Sequence, residues 1–109
     1  MEQLTDVFSA VSHPIRRAII KQLASGPTRF VDIAEPFDVA LNAVTKHLKS
    51  LERAGLIARE KKGREVFISL RPEGLRLAAD WVHEYEHFWK ERLDQFAQHF
   101  NDEERRKKR

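Results

Sequence analysis

The chain has 109 residues, 41% of them hydrophobic and 34% charged, and these proportions predict one soluble domain and exclude a disordered chain. It contains no cysteine, which excludes a disulfide framework and any thiolate metal or redox site. No apolar run is as long as a signal peptide or a membrane span, so we expect a cytoplasmic protein with no membrane partner. The net charge of +3 favours a polyanionic binding partner.

The first third of the chain predicts three short helices. Residues 3–12 have one apolar face, and a second helix is predicted to begin at Pro14, because proline is well tolerated at the first helical position. Glycine and proline within 25–27 end this helix. A third helix is predicted over 29–35, with Thr28 as its N-cap.

Residues 41–56 have the pattern of a recognition helix. Their apolar side chains recur every three or four positions, which predicts a helix with one buried stripe. The other face carries hydrogen-bonding and cationic side chains, namely Asn42, Thr45, Lys46, His47, Lys49 and Arg53. Since a short helix and a tight turn at 37–39 precede this segment, the two helices predict a helix-turn-helix.

Two short strands, 57–60 and 65–70, are predicted after Gly55, and the basic residues 61–64 join them. A two-stranded hairpin is marginal alone, so we expect it to pack on the helices as a wing. The segment 41–64 carries seven cations and two carboxylates, a local net charge of +5. This charge is shared by the helix and the hairpin, which suits a nucleic-acid surface.

One long helix is predicted from the break at 71–74 to about Phe100, with an aromatic and aliphatic stripe along one face. We expect residues 1–100 to form one winged helix-turn-helix domain and residues 101–109 to form a frayed, polar and basic tail. The predicted fold is mainly α with a small β-hairpin, in the order α-α-α-α-β-β-α. The fourth helix is the recognition helix.

Three parts of the chain resemble a known family. The run VSHPIRRAI at 11–19 resembles the start of the second helix in ArsR-type (ArsR/SmtB) bacterial repressors. The runs DIAEPFD at 32–38 and VTKHLKSLERAGL at 44–56 resemble their helix-turn-helix, and the aromatic stretch 81–94 resembles the last helix of a cysteine-free subset. The resemblance implies a homodimeric repressor that binds double-stranded DNA and leaves it on a signal, with its first and last helices paired across a two-fold axis.

Position on the recognition helix, the wing and the second helix selects the candidate DNA contacts. The residues whose position fits base edges in the major groove are Asn42, Thr45 and Lys46. The residues whose position fits phosphates or the minor groove are His47, Lys49, Lys61, Lys62, Arg64, Arg16 and Arg17. His47 has a second interpretation, as a structural histidine that faces the wing.

Ala40 departs from the family pattern, in which a serine usually caps the recognition helix. Alanine has no side-chain acceptor, and the loss of such a cap typically costs about 1 kcal/mol. Asn42 or Asp38 is expected to compensate for it.

Large apolar side chains on the first and last helices are candidates for a dimer interface. These residues are Leu4, Phe8, Trp81, Val82, Tyr85, Phe88, Trp89, Leu93 and Phe96. A domain of this size has little internal use for so many large side chains on one helix. A second copy of the chain therefore explains them better than the alternative, an intramolecular core.

The last helix also carries residue types that ligate metals, namely Asp80, His83, Glu84 and His87. Nitrogen and carboxylate ligands suit zinc or nickel. The spacing does not reproduce the two separated ligand pairs of metal-sensing relatives, so a solvated face is favoured, and we predict no metal or cofactor. The signal stays open between a small apolar ligand, a protein partner and no effector.

Three other functions fit the sequence less well than DNA binding does. An enzyme is not expected, because the sequence has no nucleophile–base constellation and no glycine-rich phosphate loop. The main alternative is a winged helix that binds proteins while its basic face stays solvated. RNA binding fits less well, since the major groove of A-form RNA is too narrow for a helix.

Overall fold

The computed structural model describes residues 2–107, and it contains five helices and three strands within that range. Backbone contacts divide the chain into two compact units, Met1–Ala78 and Ala79–Arg109. The elements in chain order are α1 (Gln3–Val11), α2 (Pro14–Leu23), β1 (Thr28–Arg29), α3 (Phe30–Ala34), α4 (Leu41–Arg53), β2 (Ile57–Lys62), β3 (Glu65–Leu70) and α5 (Pro72–Lys107).

The core of the first unit is apolar and is built from α1, α2, α3, α4 and the hairpin, with α5 contributing only partly buried side chains. Its buried side chains are Val7, Ala10, Ile19, Leu23, Ile33, Val44, Leu48, Leu51, Ala54, Leu56, Ile57 and Ile68. The stripe predicted for the recognition helix is buried at three positions of α4, whereas Leu41 at its start is 61% exposed. Burial of one stripe fixes which way each helix faces, because side chains three or four residues apart lie on the same side.

The sheet has a third strand that the sequence does not reveal. Strand β1 pairs antiparallel with β3, with Thr28 opposite Ile68 and Arg29 opposite Phe67, so the strand order is β1-β3-β2. The prediction that Thr28 caps the third helix is wrong, since its Oγ1 donates to the carbonyl of Gly26 at 3.0 Å instead. Strand pairing holds Thr28 in β1, and α3 begins after Arg29 without a side-chain cap.

The wing is longer than predicted. Strand β2 extends to Lys62, which lies opposite Glu65, so only Gly63 and Arg64 form the turn. Gly63 has φ of +65°, the left-handed conformation that a two-residue hairpin turn requires at its first position. Lys61 therefore belongs to a paired strand rather than to a flexible tip.

Helix α4 begins without a side-chain cap and ends in a Schellman motif. Its N-cap residue is Ala40, and neither Asp38 nor Asn42 replaces the missing acceptor. At the other end Gly55 has φ of +78°, and the N–H groups of Gly55 and Leu56 donate to the carbonyls of Glu52 and Leu51, both at 3.0 Å.

Helix α5 continues beyond the predicted end near Phe100, as far as Lys107. The segment 101–107, predicted to fray, is helical because it consists mostly of Glu, Arg and Lys, which are good helix formers, and its last turn carries cations that suit the helix dipole. Residues 108 and 109 lie outside the described range. Over residues 2–107, no helix combines the length and the apolar character needed to cross a membrane.

The uncapped start of α4 yields a stability prediction. Ala40 has the extended backbone of an N-cap, with φ of −64° and ψ of 147°. We expect Ala40→Ser to raise the free energy of unfolding by about 1 kcal/mol, since the hydroxyl accepts from a free N–H of the first turn. Urea denaturation measures the change. The matched control is Ala43→Ser, inside the same helix, which should not stabilise the protein; equal effects at both positions would contradict the capping explanation.

Candidate nucleic-acid interface

The polar side chains of α4 face outward because the apolar face of this helix is buried in the core. Asn42, Lys46 and Lys49 are exposed, and no acidic residue lies in the first turn. Thr45 is half-buried, and its hydroxyl donates to the carbonyl of Leu41 at 3.0 Å. The hydroxyl oxygen keeps its acceptor capacity, so all three base-edge candidates offer polar atoms on the outer part of the helix.

The cations of the wing are exposed at the far end of the hairpin. Lys61, Lys62 and Arg64 all face solvent, and the ammonium of Lys62 lies 5.6 Å from the ring centroid of Phe67. Within the described part of the chain, Arg59 is the one cation of the segment 41–64 that forms an ion pair. The positive charge of this surface is therefore left mostly uncompensated, as a phosphate-binding surface requires.

Two ion pairs, in contrast, join the wing to neighbouring elements, and one of them lies beside the turn. Arg29 Nε lies 3.0 Å from Asp32 Oδ2, and its Nη1 lies 3.0 Å from Glu65 Oε1 at the start of β3. Hydrogen bonds to these two carboxylates raise the pKa of Arg29 above its ordinary value. Arg59 Nε on β2 lies 3.2 Å from Glu52 Oε2 on α4.

These pairs border an open groove of about 540 Å³ between the wing and the two helices of the helix-turn-helix. The groove is lined by Arg29, Phe30, Val31, Thr45, Arg59, Arg64, Glu65 and Val66. Sequence reasoning missed the role of Arg29. The i,i+3 spacing to Asp32 was a readable signal, but the contact with Glu65 spans 36 residues and needs the fold.

Arg16 and Arg17, placed by sequence at the periphery of the DNA surface, turn toward the end of α1. Arg17 Nη1 donates to the carbonyl of Val11 at 2.8 Å, and Arg16 Nη1 donates to that of Ser9 at 3.4 Å. Cations at the start of α2 are unfavourable for that helix dipole, but the same guanidinium groups donate to carbonyls at the C-terminus of α1, where a cation suits the dipole. Arg17 is exposed and Arg16 is half-buried.

His47 contacts α2 rather than the wing. Its Nδ1 accepts a hydrogen bond from Arg16 Nε at 3.1 Å, and its ring centroid lies 4.3 Å from that of His13. Burial, followed by the nearby positive charges of His13 and Arg16, lowers the pKa of His47 below its ordinary value. His13 caps α2, since its Nδ1 accepts from the backbone N–H of Ile15 at 3.1 Å.

The apolar face of α5 is exposed in the single chain. Trp89, Leu93 and Phe96 are 59%, 63% and 62% exposed, and Val82 and Tyr85 are also exposed. Ring contacts run along the helix between Trp81 and Tyr85 and between Phe88 and Trp89. In α1, Phe8 is exposed and Leu4 is half-buried.

The four metal-ligating candidates on α5 do not come together in one cluster. His83 Nδ1 lies 3.5 Å from Glu86 Oε2, and His87 Nε2 lies 3.7 Å from Glu91 Oε1, so each histidine pairs with a carboxylate along the helix. Neither Asp80 nor Glu84 takes part in these pairs. Across residues 2–107, no group of three or more histidine and acidic side chains is placed to hold a metal ion.

The sequence is similar to a helix-turn-helix family profile and to known transcription regulators. A family profile described as a helix-turn-helix domain matches residues 11–60. The transcriptional repressor SdpR of Bacillus subtilis (strain 168) is 33% identical over 79 residues, which cover 72% of this chain and 88% of that protein. The HTH-type transcriptional regulator Rv2034 of Mycobacterium tuberculosis (strain H37Rv) is 31% identical over 88% of this chain and 87% of that protein.

A solved structure extends the similarity to three dimensions. The crystal structure of the ArsR family transcriptional regulator RHA00566 superposes with a TM-score of 0.75 at 34% identity, covering 81% of this chain and 91% of that one. Similarity in three dimensions therefore accompanies similarity in sequence over four fifths of the chain. The chain belongs to the ArsR/SmtB family of winged helix-turn-helix, DNA-binding transcription regulators.

Proposed function

We propose that the chain is a homodimeric transcriptional repressor that binds a specific double-stranded operator and leaves it on a signal. The observation that carries the proposal is the cationic surface shared by α4 and the wing, in which most cations have no carboxylate partner. A relative named as a repressor, SdpR, supports repression rather than activation. A transcription regulator must be in the compartment that contains the chromosomal DNA, so we also propose a cytoplasmic location.

In this proposal the first turns of α4 enter the major groove. Asn42 and Lys46 are exposed there, and an amide matches adenine while an ammonium matches the guanine acceptors. Lys49 is exposed one turn further along, where a recognition helix leaves the bases and meets phosphates. Lys61, Lys62 and Arg64 contact the backbone or the minor groove beside it.

Dimerisation follows from the apolar face of α5. A run of exposed side chains that includes Tyr85, Trp89 and Leu93 is larger than a monomeric protein usually leaves in water. A second copy presents the same face, so α5 of one copy pairs with α5 of the other in an isologous interface. Leu4 and Phe8 of α1 extend this interface. Two DNA-binding units related by a two-fold axis then match a palindromic operator.

Operator specificity is tested by fluorescence anisotropy on a labelled duplex from upstream of the chain's own gene, beside a scrambled duplex. We expect a preference of about a hundredfold or more for the upstream duplex at moderate salt. Equal and strongly salt-dependent binding to both would place the operator elsewhere. No binding to either duplex at low salt would contradict the proposal and favour a protein-interaction module.

The role of the wing is tested by replacing Lys61, Lys62 and Arg64 with alanine together. We expect weaker binding to every duplex and a salt slope flattened by up to about one unit per lost phosphate contact. The matched control removes the same charge elsewhere in the first unit, at the exposed residues Lys21, Arg71 and Arg76. An unchanged slope in the wing variant, or an equal change in the control, would remove the wing from the interface.

The dimer interface is tested by Trp89→Glu, because a buried charge at the centre of an apolar interface is costly. We expect the variant to sediment as a monomer and to lose operator affinity at the same time. The control is Gln98→Glu, nine residues along α5 and so about half a helical circumference away, which adds the same charge on the opposite side. A Trp89→Glu protein that stays dimeric would exclude this interface.

A further inference from the structure

One side-chain hydrogen bond, from Arg16 Nε to His47 Nδ1, joins α2 to the recognition helix. We propose that His47 is a positioning residue whose neutral imidazole orients Arg16 toward a DNA phosphate, so that operator binding weakens when His47 is protonated. The inference rests on the proposed function and assigns His47 a role different from a direct phosphate contact.

The direction of the hydrogen bond defines the proton on His47. Arg16 Nε carries a hydrogen that arginine does not lose in proteins, and it lies 3.1 Å from His47 Nδ1. Nδ1 must therefore be the acceptor, with the imidazole proton on Nε2. In protonated His47, the Nδ1–H would face the Nε–H of Arg16, so two donors would oppose each other. The imidazolium charge would also lie beside the guanidinium charge.

Arg16 is held from two sides and keeps donors to spare. Its Nε donates to α4 and its Nη1 donates to the carbonyl of Ser9 in α1, so the guanidinium joins α1, α2 and α4. A guanidinium has five N–H donors, and two of them are engaged here. Because Arg16 is only half-buried, the remaining donors are available to a phosphate in an orientation that His47 sets.

His13 is the third member of the cluster. Its Nδ1 accepts from the backbone N–H of Ile15 at 3.1 Å and so caps α2. Its ring centroid lies 4.3 Å from that of His47, so a positive charge on His47 would lie against both this ring and the Arg16 guanidinium.

Carboxylates do not compensate for this cluster. On α1, Asp6 lines the same surface depression as Arg16 and Arg53, but it forms no ion pair with either in the described part of the chain. From β2, Arg59 is already paired with Glu52 of α4. The remaining charged groups of α4 near His47 are cations, Lys46 and Lys49. Among residues 2–107, a proton added to His47 thus has no carboxylate partner.

The sign of the pH effect separates this role from a phosphate contact. The pKa of folded His47 lies below its ordinary value, so the unfolded chain takes up this proton first as the pH falls. The stability contribution of the neutral cluster is complete above about pH 6.5, the ordinary pKa, and is lost as the pH falls through the folded value. A histidine that contacted phosphate would instead bind DNA more tightly when protonated.

The test compares His47→Gln, His47→Ala and His47→Lys with the wild type. Glutamine offers a side-chain oxygen to Arg16 and does not titrate, whereas lysine carries a charge but cannot accept a hydrogen bond. At about pH 8 we expect His47→Gln to retain more affinity for the upstream duplex than the other two, and His47→Lys to be weakened by about tenfold despite its charge. Affinity for His47→Lys at or above the wild-type value would overturn the proposal.

The pH profile, measured at constant ionic strength, is the second readout. Wild-type affinity for the operator should fall as the pH is lowered, in total by about tenfold for each unit by which operator binding lowers the pKa of His47. The affinity of His47→Gln should depend less on pH. His99→Gln, on the exposed side of α5, is the control and should keep the wild-type profile. Tighter wild-type binding in acid, absent from His47→Gln, would make His47 a phosphate contact and overturn the proposal.

A DNA-free measurement keeps the inference separate from the proposed function. In NMR spectra of the free protein, the Arg16 Nε–H resonance should shift with the titration of His47 and should not shift in His47→Gln. An Arg16 resonance that is independent of pH in the wild type overturns the proposal even if DNA binds. Wild-type protein that binds neither duplex at about pH 8, where the neutral form of His47 dominates, overturns the proposed function instead.

Discussion

The side chains of Val44, Leu48 and Leu51 lie in the core of the first unit, and the DNA-binding surface depends on their burial. Each fully buried aliphatic side chain contributes roughly 1.5–3 kcal/mol relative to exposure, far more than any surface charge on the same helix. Rotation of α4 about its own axis would expose this stripe. The buried stripe therefore fixes the direction in which the polar face points. Asn42 and Lys46 lie on the same outward side of α4 for this reason, and not because of contacts that they make themselves.

Charged residues in and around the wing divide into two groups. Arg29 and Arg59 are paired with carboxylates, and their exposed, individually weak ion pairs connect β1 with α3 and β3, and β2 with α4. Lys61 and Arg64 have no carboxylate partner within the described residues and keep their charge for a ligand, whereas Glu65, next to Arg64, is paired with Arg29. The same residue types thus align the hairpin and supply long-range attraction.

Periodicity predicted the elements that carry an apolar stripe, and missed those that do not. The apolar pattern located all four short helices, the hairpin and most of α5, because residues on one face of a strand or a helix recur every two or three to four positions. Two residues are too few to show a period, so β1 went unnoticed, and the end of α5 depends on helix propensity rather than apolar pattern. Arg16 and His47, 31 residues apart, were both assigned to phosphate; which atom donates to which follows only from tertiary packing.

The pairing of Thr28 with Ile68 encloses the whole helix-turn-helix between two neighbouring strands of one sheet. Closing a loop of about forty residues costs more chain entropy than closing the two-residue turn of the hairpin, which favours pairing of β2 with β3 before β1 joins them. During synthesis the ribosome delivers both helices of the motif before any of β3 exists, and β1 meanwhile has an unpaired edge. The sheet is completed only when β1 pairs with Phe67 and Ile68 of β3, so the first strand to be synthesised is the last to be paired.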